Sequence, residues 1–380
     1  MSVLLTQCTG NKAQVIIRSL GKQKIEITSA DSKTFSPGFF SKYSKYKLVT
    51  PIPTQKPLEY IQFLKNYLKR NKIEVVLPIN SYETLLISKY KDNLGNLSQI
   101  PISDYNIMHT LNDKQILAEI ASNLDLPIPK TYNYEDYKNL KNFAKSINYP
   151  VVIKPREGRS SQGVYYAYSE NNFLSIMQPL LLKNDSLKQF ATPIVQDFVD
   201  GVGYGVSALL NEGDIRASFT HKRIREFPLS GGPSTLRVST HHSKMEKIAR
   251  DLLESVDWHG VAMVEFKLEK DTGKPYIIEV NPRFWGSINL AIQSGVNFPY
   301  LLYQLAVDGD INPVLSYKTG VESRFLLNDI RALLALFGAN RDVPSFIKEL
   351  FRFNNIDEFD MDDPLPFVPY LLNKLIYNDD

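Results

Sequence analysis

The sequence predicts a protein of mixed class: an α/β parallel sheet followed by an α+β region of antiparallel strands. Three observations predict it. Over the first hundred residues short apolar runs alternate with stretches of helical period, the pattern of βα units that build an open parallel sheet. From Pro150 onward apolar runs succeed one another through turns such as Asn211-Glu-Gly213 and Asp271-Thr-Gly273, which suits hairpins. At 380 residues and 43% hydrophobic content, the chain is long enough for two or three domains with buried cores.

Taken in order, Val3-Leu4-Leu5 reads as a strand, Thr9-Gly10-Asn11 as a turn and Ala13 to Leu20 as a helix. Strands at Ile25 to Thr28, Tyr46 to Val49 and Val75 to Leu77, with a helix from Leu58 to Lys69, complete a Rossmann-like domain over residues 1–105. Gly10 alone does not make a Gly-x-Gly-x-x-Gly loop, so a dinucleotide site is not expected. Thr110 with Asp113 reads as an N-cap pair before Ile116, Leu117 and Ile120, ended by Pro127-Ile-Pro129. That helix and strands at Pro150 to Pro155, Gly163 to Tyr168 and Pro193 to Gln196 define a small central domain, 106–195. Strands at Gly205 to Leu210, Ile215 to Thr220, Val261 to Leu268 and Tyr276 to Val280 define an antiparallel-sheet domain, 196–310. Residues 311–380 read as a helical extension, with apolar stripes at Ile330 to Phe337 and Phe346 to Phe353. Its apolar ending, from Pro364, is expected to pack on the core or in a homodimer.

Lys+Arg 44 against Asp+Glu 41 gives +3, and no five like charges run together, so a nucleic-acid partner is not expected. No stretch of about 18 apolar residues marks a membrane span. The single Cys8 and the lack of a Cys/His zinc spacing point to a reducing, cytoplasmic setting.

Several residues carry chemistry. Lys154 closes an apolar strand and precedes Arg156-Glu-Gly-Arg-Ser-Ser-Gln-Gly163, where backbone N–H groups and cations could close over a phosphate. Lys114 sits in the first turn of a helix, against the macrodipole, which an anion would compensate. Glu265 and Glu279 interrupt strongly apolar strands, where an unpaired carboxylate is costly. If those strands pair around Asp271-Thr-Gly273, both carboxylates land on one face, and with Asn281 they make hard oxygen donors for Mg²⁺. Arg283 would then stabilise charge on a transferring group. Ile194 to Phe198 could frame an adenine edge. His221, Lys222, Arg225 and the loop Ser230 to Arg237 concentrate cations beside a glycine hinge, as in a lid. Arg324 and Arg331 read as helix-surface cations.

The ordered set Asn-Asp-Lys114, Val-Val-Ile-Lys154-Pro, Val-Gln-Asp-Phe-Val-Asp-Gly201, Glu265 and Glu279-Val-Asn-Pro-Arg283 resembles the ATP-grasp superfamily over roughly residues 1–310. The likeness is to carboxylate–amine ligases related to carbamoyl-phosphate synthase, supported by Phe284-Trp-Gly-Ser287. The resemblance implies an ATP-grasp fold: a pre-ATP-grasp domain, a lid and a C-terminal subdomain. It implies that Lys114 and Lys154 contact ATP phosphates under the loop holding Arg159, Ser160, Ser161 and Gly163. Gln196, Asp197 and Phe198 would frame adenine, and Glu265, Glu279 and Asn281 would hold two Mg²⁺, or Mn²⁺. Arg283 would steady an acyl-phosphate, with Lys154 and the two glutamates completing the catalytic set. His221, Lys222, Arg225, Arg237 and Ser287 are the substrate-side candidates, and the general base stays open among His221, Glu226 and His241. In two places the chain departs from the family: the hinge opens with Gln196 where Glu is commoner, and Gly203 stands where a ribose-binding carboxylate is usual. That leaves Asp197 or Asp200 for the ribose. The implied activity joins a small-molecule carboxylate to an amine, amino-acid or peptide-like, through an acyl-phosphate, releasing ADP and phosphate. Phosphorylation of bicarbonate, or nucleotide binding without turnover, are the alternatives.

Overall fold

A computed structural model of the protein describes residues 1–158, 162–183, 192–229, 231–340, 343–352 and 355–377. Four strands, β1 (Ser2–Leu5), β2 (Glu26–Asp31), β3 (Ser44–Val49) and β4 (Val75–Leu77), form a parallel sheet in the order β3-β2-β1-β4. Leu4 and Val76 enter one apolar core while Val3, Leu5, Val75 and Leu77 enter another. Burial on both faces explains why these strands read as unbroken apolar runs.

A smaller antiparallel sheet follows, β5-β8-β6-β7, built from β5 (Thr131–Tyr132), β6 (Val151–Lys154), β7 (Tyr165–Ala167) and β8 (Ile194–Asp197). It has its own core around Phe143, Val151, Ile153, Phe173 and Val195. The strand Ile194–Asp197 runs across the division expected at 195/196.

The largest sheet has the order β13-β12-β9-β10-β11-β14-β15. Its strands are β9 (Gly201–Asn211), β10 (Asp214–Glu226), β11 (Ser234–Thr240), β12 (Gly260–Glu269), β13 (Pro275–Asn281), β14 (Glu322–Arg324) and β15 (Asn355–Ile356). Neighbours are antiparallel except β14 and β15. Its inner residues Leu209, Phe219, Val261 and Met263 share a core with Val3 and Leu5 of the parallel sheet.

Three expectations change. Thr110 lies inside helix Tyr105–Asn112, and Asp113 alone caps helix Lys114–Asn123, its carboxylate accepting from the N–H groups of Gln115 and Ile116. The segment Ser234 to Arg237, expected in a lid loop, is strand: β11 pairs with β10 and β14. Buried Arg237 breaks the apolar alternation there and hides the strand. Ser230 lies outside the described residues. The expected helical extension contributes β14 and β15, and Arg324 is a buried strand residue rather than a surface cation.

The C-terminal segment also returns to the first domain. Buried Asp363 accepts hydrogen bonds from Arg18 Nε (3.3 Å), Ser41 Oγ (2.7 Å) and the Lys42 backbone N–H (2.9 Å). Among the described residues no helix is long and apolar enough to cross a membrane.

Candidate functional site

Strands β12 and β13 pair so that Glu265 lies directly opposite Glu279, on one face of the sheet. Like charges in that position repel, so the pair requires cations. Arg223 of β10 hydrogen-bonds Glu265 through Nη2, and Lys114 Nζ stands 3.4 Å from Glu279. Asn281 Nδ2 donates to Glu265 Oε1 (2.9 Å), while its Oδ1 accepts from Arg283 Nη2 (2.9 Å). Arg283 also donates to Ser81 Oγ (2.5 Å) and to the Phe284 carbonyl (2.7 Å). Burial alone would lift both carboxyls. For Glu279 it is outweighed by Lys114, Lys154 and Arg223, which hold that group below its ordinary range. For Glu265 burial prevails despite Arg223, and the neighbouring Glu279 adds to the rise.

The lysines arrive from separate elements. Lys154 ends β6 and donates to the Ile278 carbonyl of β13 (3.3 Å), bringing the small sheet onto the carboxylate strand. Burial and the nearby Lys114 depress its pKa to about 8, against the opposing pull of Glu279 and Glu265. Lys114 is placed by its neighbour: Asp113, while capping the helix, binds Arg156 Nη2 at 2.6 Å, and the Lys114 N–H donates to the Arg156 carbonyl (3.0 Å). Asp113 therefore ties the helix to the loop after β6. Gly163 takes φ +73, open to glycine, while Arg159, Ser160 and Ser161 lie outside the described residues.

At the hinge, Gln196 is buried and its side chain donates to Thr131 Oγ1 (2.8 Å). The N–H groups of Asp197 and Phe198 donate to the carbonyls of Lys130 and Pro150. Phe198 stays part-exposed, edge-on to Tyr166 at 5.9 Å. Asp200 is exposed and paired with Lys270 (2.8 Å). A Cβ at Gly203 would fall 2.7 Å from Arg223 Cδ and 2.9 Å from Glu226 Oε1, so this position has no room for a carboxylate side chain.

The substrate-side candidates scatter. His221 is buried, with Nε2 3.4 Å from Ser287 Oγ; burial, Arg223 and Arg237 push its pKa well down, so the imidazole is neutral. Lys222 is exposed. Arg225 binds Asp329 (2.7 Å) and Glu349 (3.0 Å), and Arg237 is buried against Asp357, so both are committed to the C-terminal segment. Glu226 accepts from Arg223 (3.3 Å), and half-exposed His241 lies 3.4 Å from Glu246. Sequence reasoning missed Arg223. Exposure alternates along 221–225, with Lys222 outward and Arg223 inward, so the strand period was the available signal.

Lys114, Lys154, Arg223, Glu265, Glu279, Asn281 and Arg283 thus converge from helix Lys114–Asn123 and from strands β6, β10, β12 and β13 with the turn that follows β13. Among the described residues no group of three His, Cys, Asp or Glu side chains gathers to hold a metal. The convergent oxygen donors are two carboxylates and one amide, a set that suits a hard divalent cation shared with phosphate. Their present cationic partners show that this position calls for positive charge.

Residues 111–287 match the sequence family of the ATP-grasp domain. Over 215 residues the chain is 24% identical to the carbamoyl phosphate synthase large chain of Pyrococcus furiosus, a match covering 55% of this chain but only 19% of that protein. The fold is similar to the biotin carboxylase domain of Hydrogenobacter thermophilus 2-oxoglutarate carboxylase, solved with MgADP, ADP and bicarbonate: TM-score 0.69, 13% identity, covering 84% of this chain and 73% of that one. It is also similar to an L-amino acid ligase from Bacillus licheniformis, with TM-score 0.64, 16% identity and coverage of 82% and 77%.

Proposed function

Because the chain belongs to the ATP-grasp superfamily, we propose that it is an ATP-dependent ligase joining a small-molecule carboxylate to an amine through an acyl-phosphate. The observation that carries this reading is the cross-strand pair Glu265 and Glu279, flanked by Asn281 and met by lysines from two other elements. In this reading Lys114 and Lys154 hold the nucleotide phosphates, and Glu265, Glu279 and Asn281 hold magnesium. Magnesium, when bound, neutralises charge on the transferring phosphoryl group. Phosphoryl transfer needs positioning and charge neutralisation more than a dedicated nucleophile, and this cluster offers both. The substrate carboxylate attacks the γ-phosphorus, ADP leaves, and the amine then displaces phosphate at the acyl carbon. Arg283, anchored by Ser81, Phe284 and Asn281, would steady the acyl-phosphate in this reading.

The test is ADP release with Mg²⁺-ATP across pairs of amino acids and short peptides, with Glu279→Ala as control. Release that depends on the pair and drops at least a hundredfold in Glu279→Ala is the expected result, in line with the loss of a charge-stabilising group. The likeness to a carbamoyl phosphate synthase and to a bicarbonate-bound carboxylase domain favours a second reading, phosphorylation of bicarbonate. Release driven by bicarbonate alone, without a carboxylate partner, would establish that reading instead. Tight nucleotide binding with no release under any condition would point to a regulatory protein.

A further inference from the structure

The small sheet sorts its side chains by face. Val151, Ile153, Ala167 and Val195 enter its own core. Side chains alternate along a strand, so Thr131, Gln196, Val152 and Tyr166 turn to the opposite face, where the pairing register sets them in one row across β5, β8, β6 and β7. Lys154 lies two residues beyond Val152 on that face and reaches the Ile278 carbonyl of β13 (3.3 Å). The row therefore looks toward the carboxylate strand. Phe198, two residues beyond Gln196, meets Tyr166 edge-on at 5.9 Å.

Within this row the Gln196 side chain, 3% exposed, is held in one sense. Thr131 Oγ1 donates to the Pro129 carbonyl (2.9 Å). A hydroxyl has a single hydrogen, so toward Gln196 it offers lone pairs alone, and the amide nitrogen faces it at 2.8 Å. The amide oxygen is thereby turned away from Thr131, and among the described residues no group donates to it. Two backbone donors of the hinge are already engaged, the N–H groups of Asp197 and Phe198 on the Lys130 and Pro150 carbonyls. A glutamine can present either end of its amide, whereas an ionised glutamate only accepts. Thr131 removes that ambiguity and makes Gln196 behave as an acceptor.

We propose that Thr131 is the positioning residue that sets base choice: through Gln196 it fixes an acceptor at the hinge, which takes a hydrogen bond from the exocyclic amino group of adenine and opposes the carbonyl that hypoxanthine carries there. This rests on the part of the ligase reading that seats a nucleotide at the hinge, and not on the bond the enzyme forms. The test titrates the full chain calorimetrically with ADP and with IDP in the presence of Mg²⁺. The two differ at that edge of the base, and neither supports turnover. The wild type should prefer ADP by about tenfold or more, the loss expected when two acceptors are set against each other. Thr131→Val keeps the shape and removes the lone pairs, so the amide can turn; ADP should weaken, IDP should tighten and the preference should shrink severalfold. Thr131→Ala removes the same oxygen with less bulk and carries the same expectation, while Thr131→Ser retains the hydroxyl and should keep the preference. Unfolding midpoints identify which variants are folded at the titration temperature. In a Gln196→Glu background there is no amide to orient, so Thr131→Val should leave the preference unchanged, whereas a merely structural Thr131 would act alike in both backgrounds. A preference that survives loss of the Thr131 hydroxyl, or that shrinks equally in the Gln196→Glu background, overturns the proposal alone. Binding of neither nucleotide overturns it together with the ligase reading. The expected pattern without ADP release under any substrate pair would sink the ligase reading and leave the base choice standing.

Discussion

Lys154 shows how one side chain can report on ligand binding. Its pKa of about 8 reflects burial and Lys114 prevailing over Glu279 and Glu265. A polyphosphate anion beside it would restore the charged form, so nucleotide binding near pH 8.5 should take up protons. Calorimetry in buffers of differing ionisation enthalpy should show net uptake in the wild type and a clearly smaller value in Lys154→Met. The sign for stability follows from the same shift: the charged lysine is disfavoured in the fold, so its penalty is present below about pH 8 and fades as pH rises toward the ordinary value of 10.5. Glu265 and Glu279 were legible in the sequence because carboxylates interrupt apolar strands there. Arg223 was not, because its partner Glu265 lies 42 residues away and only strand register joins them.

At the scale of elements, Asp113 performs two tasks, capping helix Lys114–Asn123 and binding buried Arg156. Asp113→Ala should cost about 3 kcal/mol, since it removes the carboxylate paired with a buried guanidinium as well as opening a cap. Urea unfolding would measure it, and a loss under 1 kcal/mol would contradict the dual role. Gly205 sits on β9 against the His221 ring, where an added Cβ would approach Cε1 to 2.4 Å. Gly205→Ala should therefore displace β10 and with it Arg223, weakening nucleotide binding along with stability; a fully wild-type binding isotherm would count against this coupling. The parallel sheet and its helices were readable because their period is carried by local apolar residues. Strand β11 was not, because buried Arg237 occupies a position that reads as polar loop, and its charge is met by Asp357, distant in sequence.

Across the whole molecule, the C-terminal segment is joined to the large sheet by buried ion pairs. Fully buried Asp329 accepts from Arg225 (2.7 Å) and Thr235 (2.8 Å) and pairs with Arg324 (2.6 Å). Asp329→Ala leaves two buried guanidinium groups without their shared acceptor and should lower stability by about 3–5 kcal/mol in chemical denaturation. Charge patterns of this kind carry no local period, so residues 311–380 read as helices alone and the strands that complete the sheet went unseen. Asp363 joins the end of the fold to its beginning, and Arg18 waits for it across 345 positions of sequence. At about 5–20 residues per second of synthesis, Arg18 is made roughly 17–70 seconds before Asp363. Until then Arg18 and Ser41 must stay hydrated, so on the ribosome the amino-terminal sheet remains an unfinished structure, completed only once Asp363 has been translated.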